Sequence, residues 1–454
     1  MRRVAIQSSL SQLGLAIGFV ALLASFLAAC AANDTLTEQA GQVQAEQPTT
    51  TEAAPGPGVL PPPPPPGGVV PPPIDPNGPV RVALLLPLTG AHSQIGQDML
   101  DAAQIALFDL AGERFELMPR DTGGTRLGAS RAARGALQEG ASLIIGPLFA
   151  SSVEGVAKHT RRVSVPVLSF STDRTVAGNG VFVMGFLPET QILRVVSFAR
   201  TQGLSRFAIL APATPYGQAV MRALEDATTL NNAELTNVSY YPATGDVTEI
   251  VREFALYDDR RRAMEAQQAQ LIGKTDEISQ QALALLALRE TIGELPYDAV
   301  VLPDGGPRLL AVSPLLPYYD IDPAEVRLLG TGQWDDPTVR LEPALHGGWF
   351  AAPLPEARVR FEARFEETYG RTPVRLATLA YDAAALAAVL ARAEGGPNFS
   401  IQALASPNGF VGQDGIFRFR EDGVVERGLA VLEVRGDGFR VVDQPPTTFQ
   451  PAIN

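Results

Sequence analysis

The residue types that most often carry out reactions are scattered in this sequence. Asp121-Thr122-Gly123-Gly124 contains the Asp-Thr-Gly triplet used where paired carboxylates share a proton to activate water. A single copy supplies only half of such a pair and reads more simply as a turn after a strand. His92, His159 and His346 are far apart in the chain, and Cys30 is the only cysteine, so no metal-ligand spacing is present. There is no Gly-x-Ser-x-Gly elbow, no His-Glu-x-x-His and no phosphate-cradling Gly-x-x-x-x-Gly-Lys. No catalytic residue, metal or cofactor is therefore expected, and the chain reads as a protein that binds and is not an enzyme. Ser151, Ser152, Ser171 and Thr172 sit after apolar runs, where hydroxyl side chains commonly cap helices. Asp304-Gly305-Gly306 has the composition of a turn after a strand.

Residues 1–29 read as a signal peptide: Arg2 and Arg3 precede an apolar run from Leu13 to Leu27, and small residues lead into Cys30. The run is short for a span of about 20 residues. Leu27-Ala28-Ala29-Cys30 resembles the bacterial lipobox, which implies acylation of Cys30 as the first mature residue. Ala31 at the next position implies the periplasmic face of the outer membrane under the sorting rule of enteric bacteria. With no other cysteine, no disulfide is possible within the chain, and its apolar core must suffice. Cleavage would remove two arginines and move the formal charge from −13 to −15. That acidity argues against nucleic acid as a partner and against binding anionic lipid through a basic patch. Residues 30–79 are polar and then proline-rich, with proline at every position from Pro61 to Pro66 and again from Pro71 to Pro73. Such a segment cannot pack a core and reads as a tether reaching between about 40 Å coiled and about 150 Å extended.

From Val80 the pattern changes. Val80 to Leu86 is nearly continuous in apolar residues, as suits a strand covered on both faces in a parallel sheet. Helical spacing over 96–110, a strand near 115–119, a helix over 130–140, the strand Leu143-Ile144-Ile145, a helix over 152–161 and a strand over 165–169 continue the alternation. Repeated βαβ units predict a doubly wound α/β lobe. The rhythm restarts after Pro188 with a helix over 189–202 and a strand over 206–210, which marks a second lobe. Residues 257–289, rich in Gln, Glu, Arg, Ala and Leu, predict a helical hairpin turning near Gly273-Lys274-Thr275. It either covers the lobe or protrudes toward a partner, the second suggested by the dense charges of Asp258-Asp259-Arg260-Arg261-Arg262.

Several motifs occur together in order: Leu85-Leu86-Pro87-Leu88-Thr89-Gly90, Ile145-Gly146-Pro147 followed by Ser151-Ser152, Val165-Pro166-Val167 followed by Ser169 and Ser171-Thr172, and Pro215-Tyr216-Gly217-Gln218. With these, residues 80–442 resemble the type I periplasmic binding proteins, the family of leucine/isoleucine/valine receptors. The resemblance implies an α/β fold of two doubly wound parallel-sheet lobes joined by three crossovers, near Leu187-Pro188, from Trp349 to Pro355, and from Gln413 to Gly415. Residues 80–188 and 354–414 would form the first lobe, and 189–353 with 415–445 the second, carrying the insertion 257–289. It further implies that Ser151, Ser152, Ser171 and Thr172 hold a ligand carboxylate, that Tyr216 caps the ligand and that Asp304 meets an ammonium.

Within the family the chain is most similar to the outer-membrane lipoprotein activators of penicillin-binding proteins. The lipobox, the tether, the inserted hairpin, Pro314-Leu315-Leu316-Pro317-Tyr318-Tyr319 and Leu329-Gly330-Thr331-Gly332-Gln333-Trp334 carry that likeness. It implies a lipid-anchored regulator of peptidoglycan synthesis that binds and activates a class A penicillin-binding protein, a bifunctional synthase. The enterobacterial activators carry a helical-repeat domain where this chain has only its proline-rich linker, which leaves its mode of docking open. The alternative is a substrate-binding lipoprotein delivering amino acids or similar small solutes to an ABC transporter.

Overall fold

The computed structural model describes residues 78–449; Cys30, the expected signal peptide and the expected tether through residue 77 lie outside the described residues. The first lobe is built from β1 (Val80–Leu86), α1 (Ser93–Leu110), β2 (Phe115–Asp121), α2 (Arg126–Gln138), β3 (Leu143–Ile145), α3 (Ala150–Val163), β4 (Val167–Ser169) and β5 (Val181–Val183). Its strands run parallel in the order β2-β1-β3-β4-β5. Within β1, Val82, Leu84 and Leu86 point into one core with Met99 and Ala103 of α1. Ala83 and Leu85 point into the other core, with Ala129 of α2 and Val153 of α3. A strand covered on both faces needs apolar residues at odd and even positions alike, which is why its sequence shows no alternation. Thr125 caps α2, its side chain accepting from the Gly128 amide at 3.0 Å, a contact of about 1 kcal/mol.

The chain then crosses into the second lobe. It forms α4 (Pro188–Thr201), β6 (Arg206–Pro212), α5 (Pro215–Leu230), β7 (Glu234–Tyr241), α6 (Thr248–Phe254), α7 (Tyr257–Leu271), α8 (Glu277–Leu286), β8 (Ala299–Val301), α9 (Gly306–Val312), α10 (Leu315–Tyr318), β9 (Arg327–Gly330) and β10 (Trp349–Ala352). It returns to the first lobe for α11 (Pro355–Tyr369), α12 (Ala377–Leu390), α13 (Ile401–Leu404), β11 (Phe410–Gly412), β12 (Gly415–Phe419) and β13 (Val425–Arg427). It ends in the second with β14 (Ala430–Arg435) and β15 (Gly438–Asp443). The second sheet has the order β15-β14-β10-β9-β8-β6-β7; β6 through β10 are parallel, β14 pairs antiparallel with β10, and β15 pairs antiparallel with β14. Trp334, fully buried, donates its indole N–H to the Leu302 carbonyl at 3.2 Å. Gly330 makes room for it, since a Cβ there would lie 2.1 Å from the indole.

One of the expected crossovers moves. Trp349–Ala352 is a strand inside the second sheet, and the chain leaves that lobe at Pro353-Leu354, within the expected stretch from Trp349 to Pro355. The third crossover falls at Gly428-Leu429 and not at Gln413–Gly415, because β12 and β13 pack with the first lobe. Phe417 and Phe419 enter its core, the Phe419 ring lies 5.2 Å from that of Phe182, and Val424 bridges Val183 in parallel. Alternation in a sequence says that a strand has one buried face; it does not say which core receives it.

In the 257–289 segment, α7 and α8 are joined by residues 272–276, and Asp276 caps α8 by accepting from the Ser279 amide at 2.9 Å. Met264 and Leu286 are buried, whereas Ile272, Ile278, Leu285 and Leu288 are 69, 81, 65 and 84 % exposed. No helix among the described residues is long and apolar enough to cross a membrane.

Candidate functional site

In doubly wound sheets the loops after the carboxyl ends of the strands form the ligand crevice. Here those loops carry Thr172 after β4, Phe186 after β5, Tyr216 at the start of α5 after β6, and Gln333 after β9. With Gln191 of α4 and with Asp335, Arg375, Leu376 and Leu429, they line a cavity of about 330 Å³ between the lobes. Thr172 and Tyr216 also border a second cavity of about 560 Å³, together with Arg174, Glu189 and Arg222.

The six expected ligand contacts separate. Thr172 is exposed at the cleft, and Tyr216 faces it from the second lobe. The Tyr216 hydroxyl donates to Thr331 Oγ1 at 3.0 Å, and burial pushes its pKa up to about 12, so it stays a neutral donor. Ser171 is buried, and its Oγ accepts from the Asp173 amide at 3.0 Å, which fixes the turn. Ser151 lies exposed in the first turn of α3, outside the lining of either cavity. Ser152, next to it, is fully buried, and its Oγ has no partner among the described residues. Asp304 accepts from the Tyr241 hydroxyl at 2.8 Å and from the Gly305 amide at 2.9 Å, which anchors the loop after β8. The structure thus brings Thr172 and Tyr216 together and leaves Ser151, Ser152, Ser171 and Asp304 off the shared wall.

Asp121 has a local role of its own. Its carboxylate accepts from the amides of Leu88, Thr89 and Gly123 and from the Thr89 hydroxyl at 2.6 Å. Burial opposes the charge, but these hydrogen bonds prevail and hold the pKa below the ordinary carboxylate value. It is an ionised loop anchor and shares no proton. Among the described residues no cluster of His, Cys, Asp and Glu is placed to hold a metal.

Nothing in the sequence pattern pointed to the charged tie that joins the two walls of the cleft. Asp335, which follows β9 in the second lobe, is 2.7 Å from Arg358 and 3.0 Å from Arg375, both in the first lobe. Arg375 continues to Asp414 at 2.9 Å, and the Thr378 hydroxyl donates to the same carboxylate at 2.6 Å. Burial raises the Asp335 pKa, and the two guanidinium groups work against that rise. Phe186 is bracketed by Arg375 at 4.7 Å and Arg427 at 5.0 Å from its ring centre, a cation–π geometry. Beneath lies Asp382, fully buried, with Oδ1 accepting from the Gln413 amide at 2.6 Å and Oδ2 lacking a hydrogen-bond partner among the described residues. Gly412 allows this approach, since a Cβ there would lie 2.4 Å from the Asp382 carboxylate. Chemically the site can bind: it offers an apolar floor, hydroxyl and amide groups at the rim and a guanidinium edge.

Comparison with known proteins places this geometry. A family model described as periplasmic binding protein matches residues 79–438. Among solved structures, a leucine-binding protein from Thermotoga maritima is 19 % identical with a TM-score of 0.53, covering 82 % of this chain and 99 % of that one. A putative branched-chain amino acid ABC transporter protein from Rhodospirillum rubrum is 18 % identical with a TM-score of 0.63, covering 80 % and 100 %. A solute-binding protein from Rhodopseudomonas palustris, solved with 3,4-dihydroxybenzoic acid, is 14 % identical with a TM-score of 0.57, covering 82 % and 97 %. At these identities the likeness is one of fold. An uncharacterised protein of Rickettsia prowazekii is 19 % identical over 170 residues, 37 % of this chain and 45 % of that protein, so the chain spans less than half the length of this curated relative.

Proposed function

The chain belongs to the periplasmic binding protein family, and from that premise we propose that it is a non-enzymatic receptor whose interlobe cleft holds a small solute for an ABC transporter. The observation that carries this is the convergence of Thr172, Phe186 and Arg375 from one lobe with Gln191, Tyr216 and Gln333 from the other on a single cavity. A ligand touching both walls stabilises the closed arrangement by its differential affinity for it. The floor of Phe186, Leu376 and Leu429 suits an apolar body, and the hydroxyl and amide groups of Thr172, Gln191 and Gln333 at the rim suit its polar end. The solved relatives include one in complex with isoleucine and one with benzoate, which recommends branched-chain amino acids and aromatic carboxylates as the first compounds to try. Calorimetric titration is expected to give micromolar binding for a member of these classes. Thr172→Ala, which removes one rim hydrogen bond, should weaken it about five- to tenfold. Absence of both heat and a melting shift across the panel would sink this reading.

A second reading, activation of a class A penicillin-binding protein from a lipid anchor at Cys30 in the outer membrane, is favoured by one observation. Helix α8 exposes Ile278 and Leu285, seven residues apart and so on one helical face, and Leu288 just beyond it and Ile272 just before it are exposed as well. An apolar stripe on a charged helical insertion suits a protein partner. Addition of the protein should raise the synthase's rate, and the double variant Ile278→Asp, Leu285→Asp should lose that effect. A flat rate through a saturating titration would remove this reading.

A further inference from the structure

Overall acidity argues against an anionic surface as a partner, but the fold segregates its charge. Residues 126–162 hold six cations against two carboxylates, a net +4, which leaves −17 on the rest of the chain. Both carboxylates are occupied, Glu139 by Arg120 and Glu154 by Arg126 at 3.1 Å. Arg131 and Arg134 on α2 and Lys158, Arg161 and Arg162 on α3 are exposed, and none of the five has an ion-pair partner among the described residues. The two helices are pinned side by side, with His159 Nε2 2.9 Å from Ser130 Oγ. His159 reports the local field: burial first, then Lys158, Arg134 and Arg162, pull its pKa below the ordinary imidazole value. Arg161 and Arg162 in the last turn of α3 also complement its dipole, but the mid-helix Arg131 and Arg134 have no such local role.

The position of this patch is informative. The end of α2 lies against the start of β1, where Arg81 Nη1 donates to the Glu139 carbonyl at 3.2 Å, and α3 ends one short turn before β4. Arg114 holds the Gly78 carbonyl at 2.9 Å at the same strand-starting end, opposite the cleft. Gly78, the first described residue, therefore enters the lobe at the pole that carries the cations.

We propose that the outward faces of α2 and α3 form a docking surface for anionic phospholipid headgroups, seating the first lobe on the membrane with the cleft turned away from it. The expected acylation of Cys30 supplies the reason a membrane is at hand, but the patch does not depend on either functional reading above. The −17 on the remaining residues is repelled by the same surface, so the charge distribution sets orientation as well as attraction.

The test uses the full chain carrying Cys30→Ser, so that no acyl chain contributes, in sedimentation with phosphatidylcholine vesicles with and without about one third phosphatidylglycerol. Arg2 and Arg3, which precede the apolar N-terminal run, are changed to glutamine in the parent and in every variant, so the difference between the vesicle types reads the patch. At about 50 mM salt, binding to the anionic vesicles should exceed binding to the neutral ones at least tenfold, and about 0.5 M salt should abolish the difference. Arg131→Glu, Arg134→Glu, Arg161→Glu and Arg162→Glu together should also abolish it, with the melting curve showing that the variant folds. If the fourfold variant fails to fold, Arg131→Gln with Arg134→Gln should lower the preference several-fold. Equal partition between the two vesicle types at low salt, or a preference that survives these substitutions, overturns the proposal, as does capture of an acidic protein by the patch without any vesicle preference.

Discussion

Asp335→Ala should destabilise the protein by about 3 kcal/mol, among the largest effects of any single polar truncation in this fold. The carboxylate is 5 % exposed and joins Arg358 and Arg375, which are 12 and 23 % exposed, across the lobe boundary. Removing it leaves Arg358 with Glu362, at 3.4 Å, and the backbone carbonyl of residue 335, at 3.0 Å, and leaves Arg375 with Asp414 and the Thr378 hydroxyl. The desolvation of two guanidinium groups is then compensated less well, and this lost compensation exceeds the value of an exposed pair. Asp335→Asn keeps one acceptor without the charge and should fall between the two. Denaturant titration measures both, and an Asp335→Ala variant within 0.5 kcal/mol of the parent would show that the tie is energetically idle. Because Asp335 lies on one lobe and both arginines on the other, the same variant should also free the lobes to open, visible as an increased radius of gyration in solution scattering.

Asp382→Asn should reveal the opposite case, a buried carboxylate that costs stability when charged. Burial and the neighbouring Asp414 push the Asp382 pKa up to about 7, against the pull of Arg427. Its folded pKa lies above the unfolded value near 4. Its stabilising contribution is therefore complete below about pH 4 and is lost as pH rises toward about 7. The asparagine variant mimics the protonated acid and carries no such loss. Its stability relative to the parent should increase between about pH 4 and pH 8 by roughly 2–4 kcal/mol, the equivalent of the shift. Taking the difference removes carboxylates with the reverse behaviour, such as Asp121 and Asp298, whose pKa values are lowered. A stability difference that stays constant over this range would show that Asp382 ionises as freely as in the unfolded chain.

The legible parts of the fold were those written in contiguous residues. Val80–Leu86 reads as a doubly covered strand because all its residues but Arg81 are apolar, and it is an interior strand of its sheet. The helices between strands follow from spacing, and together they imply two wound lobes. What escaped was decided by tertiary placement. Phe417 and Phe419 alternate as any half-buried strand does, and only the adjacent Phe182 assigns them to the first lobe. Asp335, Arg358, Arg375 and Asp414 are ordinary surface types in isolation, and nothing in their spacing announces that they meet. Ser171 and Thr172 are adjacent and chemically alike, yet one hydroxyl closes a turn while the other borders the cleft. That difference depends on backbone direction within a loop, which composition does not encode.

The route of the chain between its lobes has a consequence for biosynthesis. The inward face of α1, with Met99 and Ala103, is completed by Leu379, Ala383 and Leu386 of α12, which follow only after the whole of the second lobe's parallel sheet has been made. A nascent or clipped polypeptide ending before Ala377 displays that greasy surface with nothing native to cover it. Quality control by proteases or holding chaperones can therefore recognise an unfinished molecule from its opening third, long before its last strands exist.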